Sequence, residues 1–193
     1  HAYALTVSAV GFVLLAILAS DGGLATVLRL PPVFWALVVC LFLNESIPVL
    51  LPRAGTQLAT TAETFAFAIL LGWGTTAATF ALVLGVLVAD LLRRAGPEKV
   101  VFNIGQYVLV MVVAGGVYEV LGGGHPFTAT QLPAFAAAAG VFFLGNLVLV
   151  GVVTSLAYER NFLSDLKDCL RVEALPFVMV FGISAKGTQR GFA

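Results

Sequence analysis

The chain has 193 residues, 60% of them hydrophobic and 10% charged, with a mean hydropathy of +1.04. Ordinary soluble domains carry roughly a quarter charged residues, so this composition excludes one and points to lipid as the solvent. Ten Lys plus Arg balance ten Asp plus Glu, which leaves no basic excess to attract nucleic acid.

Cys40 lies in an apolar run and Cys169 in the most charged loop, so neither a disulfide framework nor a zinc site is indicated. The chain starts at His1 rather than Met, which leaves room for upstream residues. No basic segment of the signal-peptide type precedes the first apolar run, so residues 2–19 read as a first span ended by Asp21-Gly22-Gly23. The second run, 33–51, comes after Arg29 and Pro31-Pro32. It is interrupted by Asn44-Glu45-Ser46 and Pro48 and is closed by Pro52.

A polar segment, 53–63, leads into the longest apolar stretch, 64–92, which carries no formal charge until Asp90. As one helix it would extend roughly 43 Å, well beyond a hydrocarbon core of about 30 Å. A bend or break is therefore expected, and Gly72-Trp73-Gly74 is where it would fall. The expected arrangement is a bend or a short interfacial helix ending there, with the true span from about Thr75 to Leu92 after it. A full helical hairpin at the same place is the open alternative.

Gly96-Pro97 then separates this stretch from the run 100–121. Gly122-Gly123-Gly124-His125-Pro126 forms the next loop, and 133–157 is the cleanest span, with Asn146 its strongly polar member. The hydrophilic loop 158–171 leads to a last run, 174–183, which is too short to cross alone. These runs define an all-α, polytopic membrane helical bundle of about six transmembrane segments with a bent or broken third segment. Its membrane domain is residues 1–183, and 184–193 is a tail of engineered or truncated character.

If each run crosses once, Arg29, Arg93, Arg94, Lys99, Arg160, Lys167 and Arg171 fall on one side and only Arg53 on the other. The positive-inside rule then places loops 93–99 and 158–171 in the cytoplasm and the N-terminus outside. A hairpin at Gly74 would instead put the first loop opposite the third and fifth.

Polar residues at bilayer depth cost several kcal/mol unless paired or hydrated, so they are the default functional candidates. Asn44 and Glu45 sit inside an apolar run beside Pro48, as an ion or ligand site would, or at the interface with Glu45 solvated. Asn103, Gln106 and Tyr107 project from one face of a helix, to act as interhelical hydrogen-bond glue, the favoured reading, or to line a cavity. Asn146 carries the same two readings, weighted to glue. Trp73 either anchors a bend at the interface or offers a stacking platform to a ligand. Asp90 has Arg93 and Arg94 at ion-pair spacing on its own helix. No catalytic or metal-binding motif occurs, so no enzyme, metal or cofactor is implied.

The landmarks ADLLRR, VVFNIGQY and FFLGNLVLVG carry a family likeness over roughly residues 63–180. This stretch resembles the N-terminal membrane domain of bacterial, especially actinobacterial, signalling proteins that continue into a cytoplasmic HD-type or GGDEF-type domain. The resemblance implies a sensory or regulatory input module. Apart from it, the partners expected of such a chain are the lipid bilayer and a second copy or another membrane protein. Two alternatives stay open. The chain also looks like the substrate-binding subunit of energy-coupling-factor vitamin transporters, and a structural assembly subunit would carry no ligand at all.

Overall fold

The computed structural model describes residues 2–20, 22–46, 49–50, 58–59, 62–125 and 127–158. The loop 158–171 beyond Tyr158, the last apolar run and the tail lie outside the described residues. Among the described residues six α-helices carry the fold: α1 (Ala2–Ser20), α2 (Gly23–Leu28), α3 (Pro32–Ser46), α4 (Ala62–Leu92), α5 (Pro97–Val120) and α6 (Leu132–Tyr158). A two-residue antiparallel pairing, β1 (Val49–Leu50) with β2 (Leu58–Ala59), joins α3 to α4. The described part is thus an α-helical bundle, as composition predicts.

Helices α1, α4, α5 and α6 are long and apolar enough to cross a membrane. At 15 residues, α3 falls short of that length, because the helix ends at Ser46 and does not run on to residue 51. Local chemistry sets the turns. Gly22 takes φ 75° between α1 and α2, and Pro97 starts α5 at a position where its missing N–H costs nothing. Gly122 takes φ 86° while the Gly123 N–H donates to the Tyr118 carbonyl, a Schellman close to α5.

The break predicted in the long stretch occurs at Gly74, with φ 89° and ψ 177°. Only glycine holds that conformation without strain. We call residues 62–73 α4a and residues 75–92 α4b. Along α4b, Thr75 meets Glu119 and Asp90 meets Asn103, so α4b and α5 are antiparallel. Helix α6 in turn runs antiparallel to α5, since Tyr118 meets Gln131 and Gln106 meets Asn146.

Helix α4a does not continue outward from α4b. The Phe67 ring lies 5.7 Å from that of Phe135 and 5.3 Å from that of Phe142, two turns deeper along α6. Ala62, Ala66, Ile69 and Leu70 are buried. The chain therefore folds back at Gly74, and α4a is inserted into the bundle. This corrects the expectation of a surface-lying helix. Its alternating small and large side chains, Ala62, Ala66 and Phe67 with Ile69 and Leu70, have a buried surface to fill.

Folding back also reverses the ends. Trp73 meets Phe34, Gly85 sits under Leu41, and Arg93 meets Glu45, so α3 and α4b run parallel. Gly11 and Gly105 bring the backbones of α1 and α5 together, while Gly23 approaches Thr76 near the other end. One end of the bundle therefore holds the start of α1, the 93–99 loop and the end of α6. We call it the Arg93 end. The other, the Gly74 end, holds Arg29, the Gly74 break and the loop after α5. The count that assumes one crossing per run put the start of α1 and the 93–99 loop on opposite sides. The fold puts them together, because the extra reversal at Gly74 changes the parity of every later helix.

Small residues set the helix spacing. A Cβ at Gly11 would collide with the Gly105 backbone, and one at Gly85 would collide with the Leu41 side chain. Close approach of this kind maximises van der Waals contact between the helices. Aromatic rings fill the wider gaps: Phe34 stands edge-on to Trp35 and Trp73, at 5.1 and 5.6 Å.

Candidate functional site

The described polar side chains concentrate in two places. The first is a belt just inside the Arg93 end, built from α3, α4b, α5 and α6. Glu45 is 8% exposed, and its carboxylate Oε1 lies 3.6 Å from Arg93 Nη1. Arg93 also donates from Nη2 to the Glu45 carbonyl, which lies in the last turn of α3, where carbonyls lack helical partners. One guanidinium thus neutralises the carboxylate and caps the helix.

Asp90, 2% exposed, accepts a 2.8 Å hydrogen bond at Oδ2 from Asn103 Nδ2. One turn further along α5, Gln106 donates from Nε2 to Asn146 Oδ1 of α6. Gln106 is 1% exposed, so this bond supplies what solvent does not. Tyr107 turns to α6 as well, with its ring centroid 6.4 Å from that of Phe142. Asn44 donates to the Cys40 carbonyl of its own helix at 2.9 Å.

The shared face of Asn103, Gln106 and Tyr107 is therefore divided between two neighbours, α4b and α6, and these residues pair with protein groups. Asp90 also differs from its expected role: Arg93 reaches across to Glu45, and Asn103 takes the carboxylate. Spacing along one helix could not reveal this, since Glu45 is distant in sequence and belongs to the parallel neighbour. The sequence signal available was the pair of charges, one at the end of each apolar run.

The second place is the Gly74 end. His125 Nδ1 lies 3.1 Å from the Leu71 carbonyl, one of the carbonyls freed by the end of α4a. Its ring covers Gly74, where a Cβ would come within 3.1 Å of Nε2. Thr75 donates to Glu119 Oε1 at 2.7 Å. The fully buried Tyr118 has its hydroxyl 3.0 Å from the Gly124 carbonyl and 3.2 Å from Gln131 Oε1, fixing the loop that carries His125. None of His125, Tyr118, Glu119 or Thr75 was a sequence candidate.

Trp73 belongs to this end. It borders a half-open crevice of about 240 Å³ lined also by Gly23, Thr26, Val27, Leu30, Thr76 and Ala77. Among the described residues no group of three or more His, Cys, Asp or Glu side chains is arranged to hold a metal ion. No family model, curated protein or solved structure was found to match this chain.

Proposed function

We propose that the chain is the membrane-embedded input part of a regulatory protein, which crosses the bilayer and passes small helix shifts to a cytoplasmic output domain. The observation that carries the reading is the polar belt. Four helices are joined by side-chain pairs directly inside the Arg93 end, where α6 also ends. Packed helices linked by a few polar contacts have discrete alternative arrangements, which a signal can select.

Arg93, Arg94 and Lys99 assign this end to the cytoplasm under the positive-inside rule, so the start of α1 is cytoplasmic as well. In a bilayer, Glu45 and Asp90 are tolerated because each has a partner. No reaction is assigned to these helices.

The test is the full-length reading frame and its output. A frame that continues into an HD-type or GGDEF-type domain supports the reading when Asn103→Ala changes the activity of that domain while the protein stays in the membrane. A stop codon shortly after residue 193, beside genes for a transport ATPase, refutes it. That outcome selects the second reading, a solute-binding transporter subunit, which the crevice beside Trp73 favours. A vitamin-sized molecule retained in native mass spectrometry would then be expected.

A further inference from the structure

The break at Gly74 has a chemical by-product. In an unbroken helix a threonine hydroxyl donates to the carbonyl four residues back, as Thr79 does to Thr75 at 2.8 Å. Thr76 stands two residues after the break, so Gly72 is not in helical register behind it. Its hydroxyl makes no hydrogen bond among the described residues, and neither does the indole N–H of Trp73. Thr26, by contrast, spends its hydroxyl on the Gly22 carbonyl at 3.1 Å.

Both open groups belong to residues lining the crevice, with Val27, Leu30 and Ala77 as apolar walls. Phe34, 1% exposed, holds the Trp73 ring edge-on, so the indole is fixed before any ligand arrives. The lining contains no ionisable side chain, which selects against a charged ligand. At about 240 Å³ the space is below the roughly 300–1,000 Å³ of drug-sized sites and suits a single ring.

We infer that this crevice is a binding site for a small neutral aromatic molecule with one hydrogen-bonding oxygen. The ring stacks on Trp73, and the oxygen is bound by the Thr76 hydroxyl. The site stands whether or not the helices carry a signal, because every group in it belongs to α2, its C-terminal turn and the two sides of the Gly74 break.

The chain has two tryptophans, so Trp35→Phe leaves Trp73 as the sole indole emitter. The probe is 4-nitrobenzyl alcohol, a neutral one-ring quencher, titrated into this variant in phosphatidylcholine nanodiscs. The expected result is saturable quenching, weakened about threefold to tenfold by Thr76→Val, the loss of one neutral hydrogen bond. Leu30→Phe, which narrows the crevice, should abolish saturation, and size-exclusion elution confirms that each variant is folded. Quenching that stays linear, or that is the same in Thr76→Val, overturns the inference. So does quenching by nitroxide-labelled phosphatidylcholine that the alcohol fails to displace, which would make the crevice a lipid position.

Discussion

Replacing Gly74 by alanine separates backbone conformation from space at the point where the fold turns. At φ 89° and ψ 177° a residue with a Cβ is strained by about 1–3 kcal/mol. The new methyl would also lie 3.1 Å from His125 Nε2, tighter than normal packing, although the imidazole can move. Gly72, two residues earlier, provides the control. It has no atom within 4 Å of an added Cβ and no positive φ, so Gly72→Ala should stabilise by up to ~1 kcal/mol through helix propensity. The two variants should therefore differ by roughly 2 kcal/mol, about thirtyfold in the unfolding equilibrium. Unfolding of the purified protein in mixed micelles by a denaturing detergent, monitored by circular dichroism, reads that difference. Adding His125→Ala to Gly74→Ala should recover only the contact part of the loss. Equal stability of the Gly72 and Gly74 variants would refute the reversal, and full rescue by His125→Ala would show that only crowding, not backbone conformation, matters there.

Arg93→Ala leaves the Glu45 carboxylate buried without its cation. Because Arg93 is about one-third exposed, the expected loss is about 1–3 kcal/mol, below the full penalty for a buried pair, and Glu45→Gln in the same chain should recover most of it in a double-mutant cycle. Gln106→Leu should cost ~1 kcal/mol by stranding Asn146, whereas Gln106→Leu with Asn146→Leu should be nearly neutral by the same assay. Gly105→Leu should pull α1 away from α5, since even a Cβ at this position would lie 2.6 Å from the Ser8 Cα of α1. A disulfide introduced between the two helices in the native protein should then fail to form.

The four membrane-length helices and their order were legible in the sequence because apolar length is a strong local signal, whereas the short α2 was read as a turn. Gly72-Trp73-Gly74 marked the break for the same reason, an excess of apolar residues with two glycines in its path. The direction taken after the break was not legible. It depends on whether 62–73 has a buried surface to fill, which only the aromatic contacts of Phe67 with α6 establish. The error spread to the charge count, since one missed reversal inverts every later loop. The polar candidates fared similarly. Gln106 and Asn146 were recognisable as polar groups needing partners, and glue was the favoured reading for both, but their mutual pairing joins α5 to α6 across a loop no pattern could bridge. Glu45 and Arg93 were visible one at a time, and their meeting required α3 and α4b to be parallel.

A chain that spans a membrane with its order reversed at Gly74 must show the start of α1 and the 93–99 loop on the same side. Single cysteines at Ala2, Gly96 and Thr130, with Cys40 and Cys169 replaced, test this directly through labelling by a membrane-impermeant maleimide in spheroplasts and inverted vesicles. Ala2→Cys and Gly96→Cys should react from the cytoplasmic side and Thr130→Cys from the other. Reaction of Ala2→Cys and Gly96→Cys from opposite sides would contradict the reversal, and equal reaction of all three from both sides would contradict membrane insertion itself.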